Sequence, residues 1–239
     1  MSSVTAAASP MPPAAAGTGL PPAGTVLVVT ARPGQESADL GGLLSAFRRA
    51  GASLALLCLT RGEASPVNST WSARLEAVRP WELQLAANIL GISPVTVANY
   101  PDGALRRQPP GELTGRIRRA TREHAADLLL VTDPAAGNPD DSAVAAAVCA
   151  AAGQAGVPVL ARTTQAIRGA WPVDLGAGAA TARAIQKSAA AAHQSQSPAL
   201  PRLIRRLDLL GSQEHLRWLV HPLRAVPAPT SPVRRPLRS

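Results

Sequence analysis

Five polar segments of the sequence contain the side chains that could bind a metal ion or take part in acid–base chemistry. They are residues 31–39, 60–64, 100–105, 133–141 and 192–196. The segments supply carboxylates and one histidine, which are common metal ligands and common donors and acceptors of protons. The sequence therefore predicts a polar site whose parts lie far from one another along the chain.

Short apolar runs and longer helical patterns alternate along the chain and must position these polar segments. The apolar runs predict strands at 25–30, 53–60, 94–98, 127–132 and 157–161. The helical patterns predict helices at 38–50, 72–90, 112–124, 142–154 and 202–218, the last of them amphipathic. This alternation predicts an α/β fold, with a Rossmann-like, mainly parallel sheet and helices on both faces. Ligands of such sheets bind at the carboxyl ends of the strands, where three of the polar segments begin.

Composition predicts one globular domain between two flexible ends. Hydrophobic residues make up 46% and charged residues 16% of the 239 residues, which is enough for one domain with a buried core. Residues 1–24 are rich in Ala, Ser, Pro and Gly and predict a flexible arm, while residues 225–239 predict a Pro- and Arg-rich tail. The domain then spans residues 25–224. Cys58 and Cys149 lie in apolar runs, so we expect both to be buried free thiols.

The formal net charge of +9 raises the question of an anionic partner such as nucleic acid. Part of this charge lies in the C-terminal tail, and aromatic residues, which stack on bases, make up only 3% of the chain. We therefore do not expect nucleic-acid binding. The N-terminus has no basic leader before an apolar stretch, and we find no segment that is long enough to span a bilayer. We expect a cytoplasmic protein that does not insert into membranes.

The polar segments, taken in order, resemble the motifs of the LmbE/PIG-L family of zinc-dependent N-deacetylases, which includes the deacetylases of mycothiol, bacillithiol and GPI-precursor synthesis. The family has Ala-His-Pro-Asp-Asp-Glu after its first strand, where this chain has Ala-Arg-Pro-Gly-Gln-Glu at 31–36. The family's later His-Pro-Asp-His motif corresponds to Asn-Pro-Asp-Asp at 138–141. The resemblance covers residues 25–218 and implies the fold of this family.

Other motifs of the family are matched without these changes. They are Thr-x-Gly-Glu at 60–63, Pro-Asp-Gly-x-Leu at 101–105, Ala-His-x-Ser-Gln at 192–196, and Arg-x-x-Glu at 79–82 ahead of Leu90-Gly91. Any one of these matches alone would be weak. Five segments in register make the resemblance specific.

The resemblance also implies a role for each position of the zinc site. The His and second Asp of the first motif and the last His of the later motif hold zinc in the family, and these positions fall on Arg32, Gln35 and Asp141. The general base falls on Gly34, and the His that stabilises the tetrahedral intermediate falls on Asn138. Arginine cannot offer a lone pair to a metal and glycine has no side chain. The resemblance therefore implies a degenerate zinc site, for which we expect no cofactor.

The motif positions predict the lining of a pocket. Its predicted residues are Arg32, Gln35, Glu36, Asp102, Asn138, Asp140, Asp141 and His193. The guanidinium of Arg32 either takes the place of zinc beside these carboxylates or faces solvent. Its candidate partners are Asp141, Glu36 and Asp140. Asp102 either lines the pocket or serves the turn before Gly103, and His193 either lines the pocket or is a capping or surface histidine.

Three functions remain open on these observations, and with them the question of whether the protein is an enzyme. The first is an N-deacetylase-like protein without zinc hydrolase activity, which binds an amino-sugar-like or amino-acyl ligand or acts as a regulator, with a protein partner or as a homo-oligomer. The second is an active metal-dependent N-deacetylase or amide hydrolase of an N-acetylated amino-sugar-like substrate. Its zinc or other divalent metal would be held by Asp141, Asp140, Glu36 and Gln35. The third is a basic interaction protein that binds an anionic polymer through its tail.

Overall fold

The computed structural model describes residues 19–64, 72–163 and 167–222. The predicted tail and residues 1–18 of the predicted arm lie outside the described residues. Within the described part of the chain, the strands form one seven-stranded sheet, which helices cover on both faces.

The sheet is parallel except at one edge. Its strands are β1 Thr25–Thr30, β2 Ser53–Thr60, β3 Val95–Tyr100, β4 Leu128–Thr132, β5 Val159–Thr163, β6 Trp171–Asp174 and β7 Gln213–Val220. They lie in the order β3-β2-β1-β4-β5-β7-β6, and β7 runs antiparallel to both of its neighbours. The predicted α/β class with a mainly parallel sheet is confirmed. Because the strand order reverses between β1 and β4, the carboxyl ends of these two strands flank the crevice where such sheets bind ligands.

The described part of the chain contains seven α-helices. They are α1 Gln35–Ala38, α2 Gly41–Arg49, α3 Ser72–Leu90, α4 Glu112–Glu123, α5 Pro139–Ala155, α6 Ala179–Ala192 and α7 Leu200–Leu210. Apolar residues of α2, α3 and α6 form one core cluster with the sheet, and those of α4 and α5 form the other. Strand β1 is buried on both faces of the sheet, and this explains why its sequence is apolar without interruption. Its residues Val26 and Val28 belong to the first cluster, and Leu27 and Val29 belong to the second.

The predicted helix at 202–218 is wrong in its second half. The helix α7 ends at Leu210, Gly211 follows with a φ of 56°, and the chain then forms β7. Burial in β7 alternates, since Glu214 and Leu216 face inward, and this period of two belongs to a strand. The carboxylate of Glu214 is buried because it accepts hydrogen bonds from two guanidinium groups. These belong to Arg162, at 2.9 Å, and Arg183, at 2.5 Å.

Other elements differ from their predictions at the ends or were not predicted. The predicted helix at 38–50 is divided into α1 and α2 around Asp39 and Leu40. Helix α5 begins at Pro139, before the predicted residue 142, because the Asn138 side chain accepts hydrogen bonds from the backbone N–H groups of the first turn. The strand β6 and the helix α6 were not predicted. Both lie in an Ala- and Gly-rich region whose apolar pattern is weak.

The last residues of the predicted arm belong to the folded domain. Leu20 is buried in the core, and the backbone N–H of Gly24 donates to the carboxylate of Asp127 at 2.8 Å. The domain therefore includes residues before the predicted boundary at 25. None of the helices in the described ranges is both long and apolar enough to cross a membrane.

Candidate functional site

The loop after β1 begins the site and is shaped by Gly34. This residue has a φ of 100° and precedes α1, the short helix that contains Gln35 and Glu36. A positive φ of this size favours glycine over any residue with a Cβ atom. A side chain at this position would also meet the amide of Gln196, whose Nε2 lies 2.8 Å from the position of the added Cβ. The amide of Gln196 therefore borders the space where the family has its general base.

Gln35 connects the loop after β1 with the start of α5. Its Oε1 accepts hydrogen bonds from the backbone N–H groups of Ala31, at 2.9 Å, and Arg32, at 3.3 Å. Its Nε2 donates to Oδ1 of Asp141 at 2.9 Å. Gln35 and Asp141 are both buried. Two positions that hold zinc in the family are thus joined directly to each other by a hydrogen bond.

Arg32 lies beside the same carboxylate. Its Nη1 is 3.7 Å from Oδ1 of Asp141, and its side chain is 30% exposed. The structure therefore places the guanidinium next to one of its candidate partners while a part of it still faces solvent. Burial raises the pKa of the Asp141 carboxyl, and the charge of Arg32 and the hydrogen bond from Gln35 oppose this rise.

Glu36 and His193 form a buried pair on the other side of the loop. Nε2 of His193 donates to Oε1 of Glu36 at 2.7 Å, and Oε2 of Glu36 accepts from the backbone N–H of Gly34 at 2.8 Å. Both side chains are nearly inaccessible to solvent. His193 is therefore not a surface histidine. Glu36 holds the loop after β1 against the segment that follows α6.

Asp140 and Asp102 hold the loop that follows β3. The carboxylate of Asp140 accepts from the backbone N–H groups of Gly103, at 2.8 Å, and Leu105, at 3.1 Å. The carboxylate of Asp102 accepts from the backbone N–H of Ala64 at 3.1 Å and from the hydroxyl of Thr60 at 3.3 Å. Both acids line a cavity. The carboxylate of Asp102 joins the loop after β3 to the segment at the end of β2, and the backbone N–H of Gly103 donates to Asp140 instead of Asp102.

Asn138 caps α5. Its Oδ1 accepts from the backbone N–H groups of Asp140, at 2.9 Å, and Asp141, at 3.3 Å. Pro139 follows at the first helical position, where a missing N–H costs nothing. The cap fixes the start of the helix and orients the two aspartates that follow it. The amide nitrogen of Asn138 takes no part in the cap.

Three further residues belong to the site although they were not among the predicted lining residues. Glu82 accepts from the backbone N–H of Ser195 at 2.7 Å and from its hydroxyl at 2.6 Å. The buried Arg79 donates to the carbonyl oxygen of Gly62 and, at 3.4 Å, to the hydroxyl of Ser195. The Arg-x-x-Glu and Ala-His-x-Ser-Gln motifs contain these residues. Their occurrence in family motifs was the signal that could have identified them.

Two cavities lie near the loop after β1, and five of the eight predicted lining residues lie in one or the other. A cavity of about 300 Å³, which we call the polar cleft, is lined by Arg32, Ala64, Asp102, Gly103, Asn138, Pro139 and Asp140. A cavity of about 340 Å³ between α1, α6 and α7 includes Gly34, His193, Gln196, Leu203 and Arg206 in its lining. Gln35, Glu36 and Asp141 line neither of these two cavities. The polar cleft contains more of the family's motif positions, so we take it as the candidate binding site.

The side chains present do not fit a zinc ion. In the residues that the structure describes, no three His, Cys, Asp or Glu side chains come together in a group that could hold a metal ion. At the three ligand positions there are a cation, an amide that donates its N–H, and the carboxylate that accepts it. A divalent ion next to the guanidinium of Arg32 would be repelled by several kcal/mol at about 4 Å, even at an effective dielectric constant near 20.

Neither cysteine is placed to act as a nucleophile for hydrolysis without a metal ion. Cys58 is buried in β2 and Cys149 is half-buried in α5, and both are free thiols. Burial raises the pKa of the Cys58 thiol to about 12. Burial also raises the pKa of Cys149. Both thiols are therefore protonated at neutral pH, and the protonated form is a poor nucleophile.

Comparison with known proteins gives the family. The sequence model described as PIG-L: GlcNAc-PI de-N-acetylase matches residues 27–152, which is more than half of the chain. A protein of Bacillus anthracis named probable N-acetyl-alpha-D-glucosaminyl L-malate deacetylase 2 is 34% identical over 131 residues. The matched region covers 53% of this chain and 58% of that protein, so the chain spans less than two thirds of this relative's length.

Solved structures agree on the fold. N,N'-diacetylchitobiose deacetylase from Pyrococcus horikoshii superposes with a TM-score of 0.68 at 17% identity, over 87% of this chain and 88% of that one. GalB, the 4-carboxy-2-hydroxymuconate hydratase from Pseudomonas putida, superposes with a TM-score of 0.67 at 18% identity, over 83% of this chain and 97% of that one. At such low identity these likenesses show the fold alone. The family model, which matches more than half of the chain, shows that this chain belongs to the LmbE/PIG-L family of N-deacetylases.

Proposed function

We propose that this protein is a member of the family without zinc-dependent hydrolase activity and that it binds a small amino-sugar-like or amino-acyl ligand in the polar cleft. Its role would then be that of a ligand-binding or regulatory protein. A fold of this kind does not fix the chemistry, and the similar structures include a hydratase as well as deacetylases.

One observation carries the proposal. The amide of Gln35 joins the carboxylate of Asp141 to the backbone N–H groups at the end of β1. A zinc ligand must offer a free lone pair, and zinc in hydrolases needs about three such ligands and a water molecule. The oxygen of Asp141 that faces Gln35 is already hydrogen-bonded, and Arg32 adds a positive charge beside it. The position of the general base has no side chain, because it is Gly34.

The class of ligand is proposed from the relatives. The names of the Bacillus anthracis protein and of the Pyrococcus horikoshii deacetylase describe N-acetylated amino sugars. In this chain the polar cleft lies at the carboxyl ends of the strands, where the loops after β1, β2, β3 and β4 meet. A volume of about 300 Å³ is at the lower end of the range for small-molecule sites.

The test measures bound metal and hydrolysis on the same purified protein. Elemental analysis gives the metal content, and release of acetate from N-acetylglucosamine and from its malate conjugate gives the activity, with zinc, manganese or magnesium added. The Bacillus anthracis relative serves as the positive control. We expect no stoichiometric metal and no acetate release above the rate without protein.

The alternative of an active enzyme with an altered metal site predicts the opposite result. One metal ion for each chain, lost in the Asp141→Asn variant together with acetate release, would contradict the proposal. The alternative of a basic interaction protein depends on the tail at 225–239, which lies outside the described residues. It predicts binding to nucleic acid that falls steeply with salt and disappears when the tail is removed.

A further inference from the structure

The polar cleft has an unequal supply of hydrogen-bond donors and acceptors, and this bears on the chemical class of its ligand. Its lining includes two carboxylates, a guanidinium and a side-chain amide. Which of these groups a ligand can use depends on the hydrogen bonds that they already make within the protein.

The carboxylates are already occupied by groups of the protein. Each oxygen of Asp140 accepts one backbone N–H, from Gly103 and from Leu105. Each oxygen of Asp102 also accepts one hydrogen bond, from Ala64 and from Thr60. These acids hold the loops that form the cleft, and the N–H groups they accept reduce the effect of their charge on a ligand.

The donors are not occupied in the same way. Within the described ranges, the guanidinium of Arg32 makes no hydrogen bond, and its one ion pair, to Asp141, is long at 3.7 Å. The side-chain oxygen of Asn138 caps α5, whereas its amide N–H groups have no partner among the described residues. Both side chains line the cleft and both are partly exposed, so a ligand can reach them.

The position of these donors adds to their effect. Asn138 and Pro139 lie at the N-terminus of α5, a helix that runs from Pro139 to Ala155, and the positive end of the helix dipole faces this side of the cleft. A guanidinium matches the two oxygens of a carboxylate or a phosphate with parallel N–H bonds. The unoccupied groups of the cleft are thus complementary to an oxyanion.

We propose that the polar cleft binds its ligand through an oxyanion, a carboxylate or a phosphate, which the guanidinium of Arg32 and the amide of Asn138 hold. The inference rests on the proposed function, because it names the ligand class of the same cleft. On this proposal, the arginine at position 32, where the resemblance implies a zinc ligand, contributes to ligand binding. It places a permanent cation where a bound anion can meet it.

The test compares a neutral sugar with two anionic sugars by titration calorimetry. The probes are N-acetylglucosamine, N-acetylmuramic acid, which adds a carboxylate, and N-acetylglucosamine 1-phosphate. We expect at least one anionic sugar to bind about tenfold tighter than the neutral one, or more, as a charged hydrogen bond predicts. The two anionic probes distinguish a carboxylate ligand from a phosphate ligand.

Two variants assign this preference to residues. Arg32→Gln removes the charge and should abolish the preference for the anionic sugar. Asn138→Asp keeps an oxygen that caps α5 but replaces the donor with a negative charge, so it should weaken binding of the anion without loss of thermal stability. Arg61→Gln is the matched control, since Arg61 donates to Asn99 and is not part of the lining of the cleft.

Equal affinity for the three sugars would overturn the inference, and so would an anion preference that persists in Arg32→Gln. Failure of both anionic sugars to bind at millimolar concentration would overturn it as well. Metal content and acetate release test the proposed function, and the sugar titrations test this inference independently of it. A protein that holds no metal, releases no acetate and prefers the neutral sugar would refute this inference and leave the absence of hydrolysis intact.

Discussion

Two groups of residues around the loop after β1 differ in how closely their residue types match the motifs of the family. The first group, which we call the centre, consists of Arg32, Gln35 and Asp141, the positions to which the resemblance assigns the zinc ligands of the family. The second group, which we call the frame, consists of Glu36, Arg79, Glu82, His193 and Ser195. Side chains of the frame have the types that the family motifs predict, and they hydrogen-bond to one another and to the backbone over long sequence distances.

The two groups differ in their roles, because the frame holds the loops of the site, whereas the centre lies where the family carries out its chemistry. Glu36 and Glu82 each accept two hydrogen bonds that fix loops, and neither bond requires a metal. The side chains of the centre contact one another, through the amide of Gln35 and the guanidinium of Arg32. The frame therefore holds its loops through hydrogen bonds that do not involve the side chains of the centre.

The largest expected effect is on the frame. Glu36→Ala leaves the buried Nε2 of His193 and the backbone N–H of Gly34 without their partner. Because two buried donors lose their partners, we expect the free energy of unfolding to fall by about 3 kcal/mol. Urea denaturation of the variant and the wild type measures this loss. Glu123→Ala, which removes an exposed carboxylate from α4, is the control and should change stability little. A loss no greater than that of the control would show that the frame does not hold the loop.

A smaller effect is expected at the junction of the two groups. Gly34→Ala puts a Cβ atom at a φ of 100° and near the amide of Gln196, and we expect a cost of about 1–2 kcal/mol. Because the amide is the mobile end of its side chain, most of this cost comes from the backbone. The double variant with Gln196→Ala should therefore recover less than half of it in a double-mutant cycle. Full recovery would mean that crowding, and not the backbone, excludes a side chain at position 34.

The smallest expected effect is on the centre and depends on pH. The folded protein raises the pKa of Asp141 above its ordinary value near 3.8, mainly through burial. As the pH rises above that value, the unfolded chain releases this proton first, so the wild type loses stability until the pH passes the folded pKa. Asp141→Asn lacks this proton, and its stability relative to the wild type should increase over the same pH window. Urea denaturation at several pH values checks this, and a relative stability that decreases with pH would contradict it.

Much of the fold was predictable from the sequence because its signals are local. Uninterrupted apolar runs gave β1 and β2 their observed bounds, and Gly91 marked the end of α3. The strand β7 was not predictable in the same way. Its inward-facing Glu214 looks polar in the sequence and becomes a core residue only when Arg162 and Arg183 reach it from elsewhere in the chain.

The site was predictable as a set of motif positions, but its contacts were not. The neighbouring carboxyl ends of β1 and β4 bring Arg32 near Asp141, and the alternation of strands and helices indicates such a meeting. The orientation of the Gln35 amide depends on the two backbone N–H groups at the end of β1, which no pattern of residue types reveals. The pairing of Glu36 with His193 joins residues 157 positions apart and depends on how α6 packs beside α1.

The most direct test of the account is a calorimetric titration of zinc into the wild type and into the variant Arg32→His/Gln35→Asp/Asp141→His. The variant restores the three ligand types that the family places at the centre and leaves the frame unchanged. We predict that the wild type does not bind zinc at micromolar concentration and that the variant binds one ion for each chain. A wild type that binds one zinc ion, which Asp141→Asn removes, would contradict the account, and a folded variant that binds none would show that the frame no longer positions a metal site.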